Sequence, residues 1–89
     1  GASEFRKAID QLFERYLTWR DSKVALIIFV NQKGFTSVLQ TIREEASKHL
    51  LHKYHKGDRG ESSFSYVFGL PQDQQKDVFI EIMAFHYFQ

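Results

Sequence analysis

The feature of this sequence that most constrains its fold is an unbroken apolar run from Val24 to Val30, with the sequence Val-Ala-Leu-Ile-Ile-Phe-Val. The run is too short to cross a membrane as a helix, and five of its seven residues are β-branched or aromatic, which favours a β-strand over a buried helix. A strand whose apolar residues do not alternate with polar ones is typical of a sheet with both faces covered. We therefore predict that this segment is a strand buried on both faces, in an α/β sheet with helices packed against it.

Two segments around this run have the residue spacing of amphipathic helices. The first extends from Glu4 to about Leu17, and the second begins at a capping residue, Thr36 or Ser37, and runs to about His52. Each helix is expected to bury one apolar stripe against the sheet. The residues of these stripes are Phe5, Ile9, Leu12, Phe13 and Tyr16 in the first helix and Val38, Leu39, Ile42, Ala46 and Leu50 in the second.

The rest of the chain predicts a polar loop followed by two strands. Residues 52–63 are polar and contain two glycines, so we expect a loop there. Phe64–Phe68 alternates aromatic and small residues, which predicts an edge strand with its aromatic side chains inward. Val78–Phe88 predicts a longer strand that is apolar on both faces and is therefore internal or covered. The predicted fold is a single α/β (α+β) domain, residues 1–89, of order α-β-α-β-β. It has a small mixed three-stranded sheet with two helices packed on it and the more apolar last strand between the other two.

The composition indicates a globular chain with more aromatic residues than so small a core requires. Aromatic residues make up 16% of the 89 residues, so either the core is very aromatic or some of these residues lie on a surface that a partner or the rest of a longer chain covers. A net charge of +1 does not indicate a nucleic-acid or membrane protein, and the absence of Cys excludes disulfides, Cys-ligated zinc and thiol catalysis. We expect a cytoplasmic protein, and, because the chain opens with Gly1 in place of an initiator Met, a piece excised from a longer protein.

Three histidines, His49, His52 and His55, are spaced three residues apart at the predicted end of the second helix. This spacing places two of the rings on one helix face, but no third ligand converges on them and no His-Glu-x-x-His motif is present. We interpret them as solvated side chains at a helix C-terminus, where the helix dipole favours positive charge, and we predict no metal site. His86, in the last strand, is expected to be a core histidine.

A basic segment overlaps these histidines and gives the chain a charge polarity. Residues 48–60 contain four basic residues and one acidic residue, whereas residues 61–89 contain one basic and four acidic residues. The basic segment has the charge to contact a phosphate backbone, but such runs are also common in solvated loops, which is the interpretation we favour. The candidate nucleic-acid-binding residues are Lys48, Lys53, His55, Lys56 and Arg59.

No catalytic centre can be assembled from the sequence. The serines at positions 62, 63 and 65 are not in a Gly-x-Ser-x-Gly elbow, and the glycines at 57 and 60 lack the Lys-Ser/Thr pair that follows a phosphate-binding loop. Glu81 is a carboxylate inside an apolar strand, which requires either a partner or a place on an exposed patch of the sheet. We predict no catalytic residue and no cofactor in this chain.

The stretch from Ala8 to Lys23, continuing into the apolar run, resembles a segment of bacterial restriction-endonuclease-like proteins of the PD-(D/E)XK type. In that fold a strand with a catalytic Glu-x-Lys pair is followed by a helix and then by an apolar core strand, and some branches carry a Gln and a Tyr on that helix near the site. Gln11 and Tyr16 are the matching residues, although they lie five apart where the family pattern has four. The resemblance covers residues 5–30. It implies that the acidic ligands of Mg²⁺ and the catalytic Lys lie upstream, in a parent protein, and that this chain does not cut DNA alone.

The sequence leaves three functions open. The first is a non-catalytic C-terminal segment of a restriction-endonuclease-like bacterial protein, inert by itself. The second is an autonomous protein-interaction or regulatory module that binds a partner through an aromatic surface. The third is a nucleic-acid-binding module that uses residues 48–59. A stand-alone enzyme has the least support, because no convergent set of catalytic groups is present.

Overall fold

The computed structural model describes residues 2–16, 23–30 and 33–86. Helix α1 continues directly into a π-helical turn, Leu12–Tyr16, and the other elements are separated by short connections. The elements in chain order are α1 (Ala2–Gln11), β1 (Lys23–Val30), α2 (Phe35–Lys48), β2 (His52–Asp58), β3 (Ser63–Gly69) and β4 (Asp77–His86). The fold class is α+β, as predicted. No described helix is long and apolar enough to cross a membrane.

The strands form one mixed sheet in the order β1-β4-β3-β2. β1 runs parallel to β4, and β4, β3 and β2 are connected as antiparallel neighbours. The predicted place of the last strand, between the first strand and the aromatic one, is confirmed. The predicted count of three strands is wrong, because residues 52–58 of the predicted loop form β2. The predicted edge position of the aromatic strand is wrong for the same reason, since β3 lies between β4 and β2. This strand was missed because it lies at an edge of the sheet, where charged side chains are favoured and apolar alternation is not required.

Both helices pack on the same face of the sheet. One core holds most of the predicted apolar stripes of α1 and α2 together with every second residue of β3 and β4. The prediction for Leu50 is wrong, because α2 ends at Lys48 and Leu50 is exposed beyond it, and the Tyr16 side chain lies outside the described part of the chain. An ion pair between Arg6 Nε and Glu45 Oε2, 3.4 Å apart, joins the two helices. The inward orientation predicted for the aromatic residues of β3 is confirmed, since all three are buried. The buried core consists of Phe5, Ile9, Phe13, Ile42, Ala46, Phe64, Tyr66, Phe68, Leu70, Val78, Ile80, Ile82 and Ala84.

The prediction that β1 is buried on both faces is wrong. Its residues alternate: Val24, Leu26 and Ile28 are partly buried against the helices, whereas Ile27 and Phe29 are exposed. The physical reason is that the two described helices are wide enough to cover only one face of the sheet. A four-stranded sheet is about 19 Å wide at about 4.8 Å per strand, and two adjacent helices cover about 20 Å. The two helices are therefore enough to cover one face and leave none for the other.

The same shortage of helix affects β4. The strand is internal to the sheet, as predicted, with Val78, Ile80 and Ile82 fully buried under the helices. Its other face is not covered by a described element, and Phe85 is 49% exposed there. The two apolar faces of β4 thus correctly indicated a central position in the sheet, but they did not indicate whether a second layer of helices covers the face opposite α1 and α2.

Helix α2 begins and ends differently from the prediction. Its N-cap is Gly34, in the left-handed conformation (φ 80°, ψ 40°) with no side-chain cap, so the predicted caps Thr36 and Ser37 lie inside the first turn. The helix ends at Lys48 because His49 adopts an extended conformation (φ −60°, ψ 141°). This earlier end frees the following residues to enter β2.

The β3–β4 connection depends on a close approach between backbones. A Cβ atom on Gly69 would lie 3.0 Å from the carbonyl oxygen of Gln74. The loop is closed by reciprocal backbone hydrogen bonds between Leu70 and Asp73, both 3.3 Å. Glycine at position 69 therefore lets the polar loop fold back over the end of the strand.

Candidate functional site

The most unusual surface of the molecule is the sheet face opposite the helices, which we call the open face. On it the side chains of β1 lie beside those of β4, with Ile27 paired to Met83 and Phe29 paired to Phe85. Ile27 is 51% exposed and Phe29 is 68% exposed. The rings of Phe29 and Phe85 stack with centroids 5.9 Å apart. We refer to Ile27, Phe29, Met83 and Phe85 as the apolar half of the open face.

The outer edge of β1 borders this surface. β1 is the first strand of the sheet, and no described strand pairs with its other side. Its backbone N–H and C=O groups on that side are therefore available to a further strand. The edge joins the open face to the helical side of the molecule.

On the helical side of the same edge lies a cavity of about 530 Å³. It is a half-open groove lined by α1, the last residues of β1 and the first half of α2, and most of its lining surface is apolar. The apolar lining residues are Phe5, Ala8, Ile28, Phe29, Val30, Val38 and Ile42. The edge of β1 thus has apolar surface on both of its sides.

The other half of the open face is polar. Ser63 Oγ donates a hydrogen bond to Glu81 Oε1 (3.1 Å), and Lys56 Nζ lies 4.8 Å from the centroid of the Phe79 ring. Lys56, Arg59 and Glu81 line a shallow depression of about 270 Å³. Glu81 therefore meets both conditions set by the sequence, since it has a hydrogen-bond donor and lies on a partly exposed patch.

The predicted nucleic-acid-binding residues do not form one cluster. Lys53 Nζ is 2.6 Å from Asp77 Oδ1, and His55 Nε2 is 2.6 Å from Asp58 Oδ1. Lys48 is in the last turn of α2. The structure brings only Lys56 and Arg59 together, at the polar half of the open face.

The three spaced histidines do not share a helix, because α2 ends before the first of them. His49 Nδ1 accepts a hydrogen bond from the Leu51 backbone N–H (3.1 Å), so the proton of the neutral ring is on Nε2, which donates to Asp10 Oδ1 (2.9 Å). His49 and His55 therefore each contact a carboxylate, that of Asp10 for His49 and that of Asp58 for His55. No group of ligands able to hold a metal ion is found among the described residues.

His52 is in a different environment from its neighbours. Its ring makes edge contacts with Tyr66 and Phe68 at centroid distances of 5.9 and 5.7 Å. Its Nε2 is buried and has no hydrogen-bond partner among the residues that the structure describes. Burial lowers the pKa of His52, and the nearby His55 and His49 lower it further. The ring therefore packs as a neutral aromatic group.

The prediction for His86 is wrong. This residue is exposed at the end of β4, where its ring stacks on Phe35 with centroids 5.0 Å apart. The buried part of the core face of β4 ends at Ala84, and His86 lies at the margin of the helical layer, where Phe35, the first residue of α2, contacts its ring without burying it. The alternation of the strand placed His86 on the correct face but not under cover.

The residues that carry the family resemblance are only partly described. Gln11 is exposed at the last position of α1. The backbone of Tyr16 closes the π-helical turn, and its side chain lies outside the described part of the chain. The helix-then-strand order of the resemblance is present, with β1 at an edge of the sheet.

This arrangement can bind an apolar surface or a strand. Neither the open face nor the outer edge of β1 was predictable as a site, since the first depends on both helices covering one face of the sheet and the second on the order of the strands. The surplus of aromatic residues was the one signal of the open face in the sequence.

No protein-family model, curated protein or solved structure matches the chain.

Proposed function

We propose that this chain is a protein-interaction module that binds an apolar surface of a protein partner through the apolar half of the open face. The observation that carries the proposal is the exposure of three large side chains on one face of an otherwise well-packed sheet: Ile27 at 51%, Phe29 at 68% and Phe85 at 49%. Contiguous exposed apolar patches of this kind mark interaction sites in soluble proteins. Aromatic residues supply much of the energy at such interfaces.

The size of the effect indicates how the partner must bind. Covering the exposed parts of these three side chains is worth roughly 3–5 kcal/mol, given about 1.5–3 kcal/mol for the full burial of one such side chain. Association itself costs about 4–15 kcal/mol. The apolar half alone therefore supports weak binding, and a specific complex has to use the neighbouring edge of β1 as well.

The test compares two variants. One carries both Phe29→Ser and Phe85→Ser, and the other carries the single substitution Leu50→Ser. Leu50 is the matched control, because it is 93% exposed but lies away from the open face, next to the start of β2. The probe is the hydrophobic dye anilinonaphthalene sulfonate, and circular dichroism checks that each variant is folded. We expect the double variant to remain folded and to lose dye fluorescence, and the control to keep it.

Two results would overturn the proposal. One is a wild-type protein that binds no dye. The other is a double variant that unfolds as a core variant does, since Phe29 and Phe85 would then serve the stability of the domain and not a partner.

A second candidate is the non-catalytic segment of a restriction-endonuclease-like protein, which would need Mg²⁺ only in its parent. The free edge of β1 favours it, because the rest of such a domain would pair with this strand and cover its open side. The test is the coding sequence upstream of residue 1. A strand with a Glu-x-Lys pair shortly before Phe5, together with Mg²⁺-dependent DNA cleavage by the intact parent, supports this candidate, and an unrelated upstream sequence removes it.

A further inference from the structure

We propose that β1 pairs in antiparallel fashion with β1 of a second copy of this chain, about a two-fold axis at Ile27, so that two four-stranded sheets become one continuous sheet. The inference rests on the proposed function and deepens it, because it names the partner as a second copy and the binding element as the edge of β1.

The two edges of the sheet differ in a way that identifies β1 as the binding edge. β2, at one edge, has two register shifts, at His52/Tyr54 and at His55/Gly57, and carries two lysines. Bulges and charges of this kind are how natural proteins protect an edge from pairing. β1, at the other edge, has an unbroken register with β4, has no Pro or Gly, and carries its one charge at its first residue. Only β2 has the features of a protected edge.

The sequence of β1 is complementary to itself when it is read backwards about Ile27. This register places Ala25 opposite Phe29 of the second copy, with Ile27 opposite its own counterpart, on the open face. On the helical side it places Val24 opposite Val30 and Leu26 opposite Ile28 of the second copy. A small residue thus meets the largest one, and all seven residues of the apolar run are paired.

A shift of the axis to Leu26 is less favourable. It would place Lys23 opposite Phe29 of the second copy, and Val30 would have no partner within β1. The axis at Ile27 is therefore the better register.

The cavity beside β1 is where this register needs space. Ile28 and Val30 line it. Leu26 and Val24 of the second copy would stand opposite these two residues, on the same side of the joined sheet. Val24 and Leu26 are only partly buried in one copy, so pairing increases their burial in both. The axis relates two such cavities, and each receives side chains from the other copy.

The charge on β1 favours the antiparallel arrangement over a parallel one. With the axis at Ile27, the two Lys23 residues lie at opposite ends of the paired strands, about 26 Å apart at about 3.3 Å per residue. A parallel pair in register would bring them side by side. Seven paired residues make an interface at the small end of the range for specific complexes, so we expect a dimer that dissociates on dilution.

Cysteine substitution tests the register directly, because the chain contains no Cys. Ile27→Cys is expected to form a disulfide-linked dimer on mild oxidation, since directly opposite residues in an antiparallel pair have Cα atoms about 4.5–5.5 Å apart, within the range of a disulfide. Ala25→Cys alone is expected not to cross-link, whereas an equal mixture of Ala25→Cys and Phe29→Cys is expected to give the mixed dimer.

Met83→Cys is the matched control, since Met83 is the neighbour of Ile27 on β4 and lies on the same open face. In the edge-paired dimer the two copies of residue 83 are about 14 Å apart, too far for a disulfide. Cross-linking of Met83→Cys as readily as Ile27→Cys would overturn the inference in favour of two open faces stacked on each other, and the proposed function would stand.

Sedimentation of the wild-type chain provides a measurement that does not depend on the variants. We expect a monomer–dimer equilibrium for the wild-type chain. The Ile27→Lys variant is expected to be monomeric and, by circular dichroism, still folded. A wild-type chain that remains monomeric at every concentration, with no Ile27→Cys dimer, would overturn the inference. In that case loss of dye binding by the Phe29 and Phe85 double variant would still support a different protein partner.

Discussion

Among single residues, His52 has the environment that most clearly couples protonation to stability. Its ring packs against Tyr66 and Phe68, its Nε2 is buried with no partner in the described part of the chain, and burial lowers its pKa below the ordinary value of 6.5. The unfolded chain therefore takes up a proton at a higher pH than the folded chain does. The neutral His52 ring therefore contributes fully to the free energy of unfolding above pH 6.5. This contribution is lost as the pH falls from 6.5 through the lowered pKa of the folded state.

The prediction is that His52→Phe reduces the loss of stability between about pH 7 and about pH 5, because Phe keeps the ring contacts and removes the titrating group. Urea unfolding at several pH values measures the effect. His86→Phe is the control, since His86 is exposed. An unchanged pH profile in the His52 variant would show that protonation of this ring does not oppose folding.

Two glycines provide a second comparison between single residues. Gly34 has φ 80° at the start of α2, whereas Gly57, in β2, has no positive φ and open space around the position of a Cβ. Gly34→Ala should lower the free energy of unfolding by about 1–2 kcal/mol, because an L-residue in the left-handed region costs about that much. Gly57→Ala should change it little. Equal effects in thermal or urea unfolding would contradict the conformation assigned to Gly34.

At the scale of elements, the two faces of β4 should respond very differently to the same truncation. Ile82 is fully buried under the helices, and its neighbour Met83 lies on the open face. Ile82→Ala is expected to cost about 2–5 kcal/mol, the range for loss of a large buried aliphatic side chain. Met83→Ala is expected to cost much less. Chemical denaturation of both variants tests this, and similar losses would mean that the open face is covered in the folded monomer.

The elements also show what the sequence could establish. The strand β3 was predictable because Phe64, Tyr66 and Phe68 alternate with small residues, although its internal position was not. The helix stripes were predictable from their spacing except at Leu50, which lies beyond the end of α2 and is exposed. β2 was not predictable, since an edge strand has little apolar pattern to read. β1 was correctly predicted as a strand, but its burial was predicted wrongly. An apolar sequence shows that both faces of a strand can be buried, and it does not show whether the fold places other elements against them.

For the whole molecule, the distribution of charge limits the nucleic-acid hypothesis. Of the candidate residues, only Lys56 and Arg59 lie together, while Lys53 is paired with Asp77. The hypothesis now predicts that the double substitution Lys56→Ala and Arg59→Ala weakens binding to a single-stranded oligonucleotide at low salt, and that Lys53→Ala has little effect. Fluorescence anisotropy over a range of salt concentration measures both. Absence of any binding at low salt would remove the hypothesis.

The candidate site was the part of the molecule least accessible from the sequence. The excess of aromatic residues left open whether some of them lie on the surface, and Phe29 and Phe85 are exposed and stacked there. No local pattern states that two helices share one face of the sheet, since that choice depends on the packing of α1 against α2. The open face follows from this choice, and so does the cavity beside the edge of β1.

The parallel pairing of β1 with β4 has a consequence for synthesis of the chain on the ribosome. β1 is the most apolar segment and emerges early, yet the strand beside which it rests, β4, is the last described element to be made. Contacts between distant parts of a chain form slowly, because a long loop must close first. Until β4 emerges, β1 can have only provisional contacts with the helices. Until then the newly made chain exposes the apolar run of β1, and exposed apolar strands of this kind are prone to aggregation.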